Sequence, residues 1–152
     1  MFNKPLLIDM AVNNENIISS ATLNKALENN TVVDADFNML RTSSESFRDT
    51  SKYWEYSPAF SPDLYELLSY KFHSFCVIGL DTIFISTIAK CELGREAHRV
   101  LLTHNIRNCE DLSLYKIKPD SSPNKIVALP FRYEISDGAP TTLFAETVTN
   151  AD

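Results

Sequence analysis

Phe72-His-Ser-Phe-Cys-Val-Ile-Gly-Leu-Asp-Thr-Ile-Phe-Ile-Ser-Thr-Ile88 is the densest apolar and β-branched run in the chain. It is apolar at both odd and even positions, the pattern of a strand, or of a hairpin turning near Leu80-Asp81-Thr82, covered on both faces. This is the expected core. From Lys90 to His104 the spacing changes to that of a helix, with Leu93, Ala97, Val100 and Leu101 on one stripe and Glu92/Arg95 and Glu96/Arg99 as surface pairs.

Upstream, Pro5 to Val12 is a short extended segment, and Ser20 to Asn30 is a helix with a serine start and a double-asparagine stop. Thr31 to Leu40 alternates: Val33, Ala35, Phe37 and Met39 fall on one side, Asp34, Asp36 and Asn38 on the other. That pattern predicts a half-exposed strand. Arg41 to Ser61 is a long surface excursion with a helical turn around Phe47 to Trp54, after which Ser61-Pro62-Asp63 opens a helix buried through Leu64, Leu67 and Leu68.

Downstream, Leu112 to Lys118, Lys125 to Ile135 and Thr141 to Val148 are expected strands of an antiparallel meander, separated by proline-rich turns. Pro130 cannot donate a ladder hydrogen bond, which assigns its strand to an edge or a bulge. The fold class these segments imply is α+β: a mostly antiparallel sheet of five or six strands with two or three packed helices. Residues 1–148 form one expected globular domain and 149–152 a polar tail.

With 152 residues, 44% of them hydrophobic and 22% charged, the chain can bury a core without metal or disulfide staples. Three cysteines, Cys76, Cys91 and Cys109, are an odd number in or beside apolar segments, which points to free thiols and a cytoplasmic setting. The net charge of −6 argues against nucleic acid as partner, and no apolar run is long enough to suggest membrane insertion. Only three glycines are present, so no glycine-rich loop can cradle phosphates.

Three constellations carry chemistry. Asp34, Asp36, Asn38 and Glu45 stand at the spacing of an EF-hand loop, but Met39 replaces the turn glycine and no second hand exists. Cys91, His98, His104 and Cys109 are zinc-ligand types without zinc-ligand spacing. No metal or other cofactor is expected. A nucleophilic cysteine is the best enzymatic idea, with Cys76 or Cys91 as thiol, His98 or His104 as base, and Glu110 or Asp111 orienting the imidazole. A buried structural role is nonetheless the expected one for Cys76, between the apolar flanks Phe75 and Val77.

The remaining feature is the aromatic run Tyr53, Trp54, Tyr56 and Phe60 inside the excursion, residue types that anchor protein interfaces. No motif is specific enough to transfer a function. The expected function is a non-enzymatic protein-binding or assembly module, self-association included, with those four aromatics as the partner surface. The alternative is a small cysteine-dependent hydrolase or transferase using a Cys/His pair.

Overall fold

The computed structural model describes residues 1–10, 17–118 and 121–147, so the expected polar tail and the ends of the first and last extended segments lie outside the described residues. The central sheet is parallel, which overturns the antiparallel α+β expectation. Its strands β1 (Pro5–Asp9), β3 (Phe37–Arg41), β5 (Val77–Leu80) and β6 (Arg107–Cys109) stand in the order β1-β3-β5-β6. Each joins its neighbour in parallel register, for example Leu7 with Met39 and Met39 with Gly79. Helices α1 (Ser20–Ala26), α2 (Ser51–Glu55), α3 (Leu64–Lys71) and α4 (Cys91–Thr103) fill the crossovers, making an α/β arrangement.

Burial on both faces explains these strands. Leu6, Ile8, Leu40, Ile78 and Leu80 pack against Leu23 of α1, Leu64 and Leu68 of α3, and Ala97 and Leu101 of α4. Leu7, Phe37, Met39 and Val77 point the other way, onto Leu114 and Ile126. All five residues of β3 are buried, so the half-exposed strand expected from Thr31 to Leu40 is corrected. Asp34 and Asp36 precede the strand, and Asn38 lies fully inside, with neither amide atom of its side chain partnered among the described residues.

The long apolar run is likewise divided: only Val77–Leu80 is strand, and residues 81–87 form a turn leading into α4. The strand expected over Leu112 to Lys118 is absent, and that segment lies as an irregular cover on the sheet's second face. Next to it, β7 (Lys125–Pro130) and β8 (Thr141–Glu146) pair antiparallel as a separate ribbon, with Pro130 at the end of an edge strand as its missing donor requires. A short parallel pair, β2 (Ile17–Ile18) and β4 (Ala59–Phe60), completes the set. No helix among the described residues is long and apolar enough to cross a membrane.

Candidate functional site

In an open parallel sheet the strands' carboxyl ends face a crevice that the crossover loops line, and ligands bind there. In this chain every one of those ends carries ionisable side chains. β1 finishes on Asp9 and β3 on Arg41, β5 runs into Asp81, and β6 runs into Glu110 and Asp111.

At the β1/β3 end, the Arg41 guanidinium is nearly buried and forks onto Asp9, with Nη2 to Oδ2 at 2.7 Å, while Nη1 donates to the carbonyl oxygens of Leu114 and Ile117. Glu45 accepts the backbone N–H of Tyr115 at 3.0 Å and that of Leu114. These groups, with Ser43, Ser46, Tyr115 and Ile117, line a cavity of about 620 Å³. Asp9 and Arg41 are tied to each other and Glu45 to the backbone of the cover segment, with Tyr115 and Ile117 supplying the apolar part of the wall.

At the centre, Asp81 is fully buried and accepts the Thr42 N–H at 2.9 Å and the Thr42 hydroxyl at 2.7 Å. Burial pushes its carboxyl above the usual range, against the lowering effect of the threonine hydrogen bonds. The Tyr53 hydroxyl lies between the Asp81 carbonyl oxygen and Asp111 Oδ1. Burial first, and then the Asp111 carboxylate, hold that phenol above its ordinary pKa. Arg48 completes the cluster, 3.1 Å from Asp111 and with its guanidinium carbon 5.6 Å from the centre of the Tyr53 ring. Asp111 takes a left-handed backbone conformation, φ 57°, which turns the chain after β6 and lets its N–H bond to the Thr82 carbonyl at 2.8 Å.

At the β5/β6 end, His98 Nε2 stands 3.3 Å from Glu110 Oε1. The same oxygen accepts the Ile85 N–H and the Asn108 side-chain amide, both at 2.8 Å. The carboxylate therefore fastens the turn after β5, strand β6 and helix α4 to one point. Gly94, one turn before His98, brings α4 against Ser86 of that turn. Among the described residues the side-chain oxygen of Asn108 is buried without a hydrogen-bond partner, and His98 keeps more than a third of its side chain in solvent.

The residues singled out by sequence are distributed differently. His98 and Glu110 do meet, one of the four base and carboxylate combinations that the cysteine-enzyme alternative allowed, but no thiol joins them. Cys76 sits at the opposite, amino end of β5 and donates to the Asp36 carbonyl at 3.3 Å, where burial raises its pKa. Burial likewise raises Cys109, and Cys91 is exposed at the start of α4. His104 stacks on Tyr65 with ring centres 4.0 Å apart.

The EF-hand spacing is pulled apart along β3. Asp34 takes Lys4 and Ser74, Asp36 takes the N–H groups of Asn3 and Lys4, and Glu45 lies past the far end. Among the described residues no three His, Cys, Asp or Glu side chains converge as metal ligands would. Of the aromatic run, Trp54 and Tyr56 are about half exposed, whereas Tyr53 and Phe60 are in the interior. Sequence reasoning missed Asp9, Arg41 and Asp81. The available signal was that each ionisable residue directly follows a short apolar run.

The architecture is thus that of an α/β domain with its polar groups gathered at the carboxyl edge of a parallel sheet. Its fold is similar to that of isatin hydrolase A from Labrenzia aggregata, solved bound to benzyl benzoate, with a TM-score of 0.68, 15% identity, and 97% of this chain covering 62% of that one. It is also similar to an isatin hydrolase bound to the product analogue thioisatinate, with a TM-score of 0.65, 17% identity, and 95% of this chain covering 61% of that one. Identity this low establishes likeness of fold, and the chain spans about three-fifths of the length of either hydrolase. No family model and no curated protein sequence matches the chain.

Proposed function

We propose that this chain is a hydrolase acting on an amide or ester carbonyl, with His98 as general base and Glu110 as the group that orients it. The observation that carries the reading is the 3.3 Å approach of His98 Nε2 to Glu110 Oε1 beyond the carboxyl end of β6. When Nε2 carries the proton facing Glu110, Nδ1 is left as an acceptor able to take a proton from water. The resulting hydroxide adds to the carbonyl, and the imidazolium returns the proton to the leaving nitrogen or oxygen. The similarity of the fold to isatin hydrolases suggests cyclic amides such as isatin as first substrates to test. Imidazole and carboxylate, rather than a thiol, carry this version of hydrolysis.

The test is ring opening of isatin, and cleavage of a panel of cyclic amides and aryl esters, followed by absorbance with the purified full chain. Turnover above buffer, reduced about 10²-fold or more by His98→Asn in a protein that still folds, supports the reading. Absence of turnover across the panel, or equal rates for His98→Asn and the unaltered chain, overturns it.

A second reading, association with another protein, is supported by the exposure of Trp54 and Tyr56 at the surface of α2 and the turn that follows it. The three free thiols suit the cytoplasm under either reading.

A further inference from the structure

Between β7 and β8 the chain leaves the body of the protein. Every residue from Leu129 to Thr142 is exposed, and a β-carbon on Gly138 in this loop would meet nothing within 4 Å. The second half of the arm is small and polar, as a solvated loop would be, but its first half is not. Leu129, Phe131, Tyr133 and Ile135 recur at alternate positions with exposures of 56%, 68%, 57% and 96%. Phe131 and Tyr133 share a face, their ring centres 5.5 Å apart. A run of large apolar side chains on a projecting arm marks an interaction surface.

The arm's sequence selects the occupant. Phe131-Arg132-Tyr133-Glu134-Ile135 laid antiparallel on a second copy of itself, about a twofold through Tyr133, sets Phe131 against Ile135, Tyr133 against Tyr133, and Arg132 against Glu134. Both charged contacts join opposite signs, and all three apolar positions meet apolar positions. Among the described residues neither Arg132 nor Glu134 has an ion-pair partner within its own chain, so each is free to take one from a second copy. A one-residue slip would oppose apolar to charged side chains, which fixes the register. At the arm's root a cavity of about 430 Å³, lined by Met39, Leu143 and Phe144 but also by Asp111 and Lys116, adjoins the same ribbon.

We propose that two copies of this chain associate through the arm, with residues 131–135 crossing antiparallel at a twofold axis and Arg132 of each copy paired with Glu134 of the other. A partner of different sequence would need its own complementary pattern, whereas this segment is complementary to itself. The inference is independent of the hydrolase reading, because residues 131–135 are exposed and neither His98 nor Glu110 lines the cavity at the arm's root.

Sedimentation and light scattering of the full chain at micromolar concentration test it, with circular dichroism to verify folding. The unaltered chain is expected to be a dimer. Arg132→Glu alone and Glu134→Arg alone each oppose like charges across the axis and are expected to shift the chain to monomer. The doubly exchanged Arg132→Glu/Glu134→Arg chain restores both pairs and should dimerise again. These positions are exposed, so the variants should fold as the parent does. A monomeric parent chain, an open-ended assembly, or a dimer that both single exchanges leave intact overturns the proposal. So does a double exchange that stays monomeric.

Discussion

Gly94 in α4 and Ser86 in the turn after β5 approach so closely that a β-carbon on the glycine would stand 1.8 Å from the serine Cβ and 2.8 Å from its Cα. The obstruction includes main chain, so no side-chain rotation relieves it. His98 follows one turn later on the same helix, and the approach sets its distance from Glu110. Gly94→Ala is therefore expected to cost about 3 kcal/mol of stability, at the upper end of overpacking effects, read as a lower urea midpoint. An unchanged midpoint would show that α4 can move away from the turn without loss.

Arg41 joins β1, β3 and the cover segment, since its guanidinium serves Asp9 and two carbonyl oxygens at once. Removing it leaves those acceptors facing an apolar wall. Because the Asp9 side chain is 43% exposed and regains water, the expected loss for Arg41→Met is about 2–3 kcal/mol, below the range for a wholly buried pair. Arg41→Lys should recover only part of it, because an ammonium cannot hold Asp9 and both carbonyls in one plane. Equal stability of the lysine variant and the parent in urea would contradict this.

Asp34 gives the acid side of the stability profile a named component. The hydrogen bond from Lys4, followed by those from the Ser74 hydroxyl and N–H, holds its carboxyl well below the usual range. The folded-state pKa is depressed, so the unfolded chain takes up this proton first. The contribution is complete above the ordinary aspartate range, starts to disappear as pH falls through it, and is gone below the folded-state value. Asp34→Asn should narrow the gap between melting temperatures at neutral pH and at about pH 3. An undiminished gap would assign the acid sensitivity elsewhere, the likewise depressed Asp63 beside Ser20 being the first alternative.

Tyr53 and Trp54 are neighbours with opposite environments, 2% and 51% exposed. Tyr53→Phe removes the hydroxyl between Asp111 and Asp81 and should cost about 1–2 kcal/mol. Trp54→Ala should change stability by no more than about 0.5 kcal/mol, as surface substitutions do. Emission of the single tryptophan should be red-shifted and open to iodide quenching. A blue-shifted, protected emission from a monomer would place Trp54 in the interior.

Local order was legible where one residue's neighbours in sequence are also its neighbours in space. The stripe of Ala97 and Leu101 places α4 within a residue of its observed ends, and the Pro130 strand pairs antiparallel with β8 but stops at Pro130, short of the Ile135 that the alternation indicated. The His98 and Glu110 pairing was accessible only as one of four base and carboxylate combinations, since sequence spacing did not say which of them meet.

The sequence by itself determined a set of short apolar segments, a glycine-poor chain without a phosphate loop, three thiols, and the α4 helix, but not that four helices cross between parallel strands. Tertiary structure alone decided that the strands run parallel and that Asn38 is inside. It also decided that Asp9, Arg41, Asp81 and Glu110 share one edge while Cys76 lies at the other. The physical reason is that strand direction and pairing depend on which crossover helices cover which face. A polar residue at an alternate position reads the same whether it meets water or the second layer of a core.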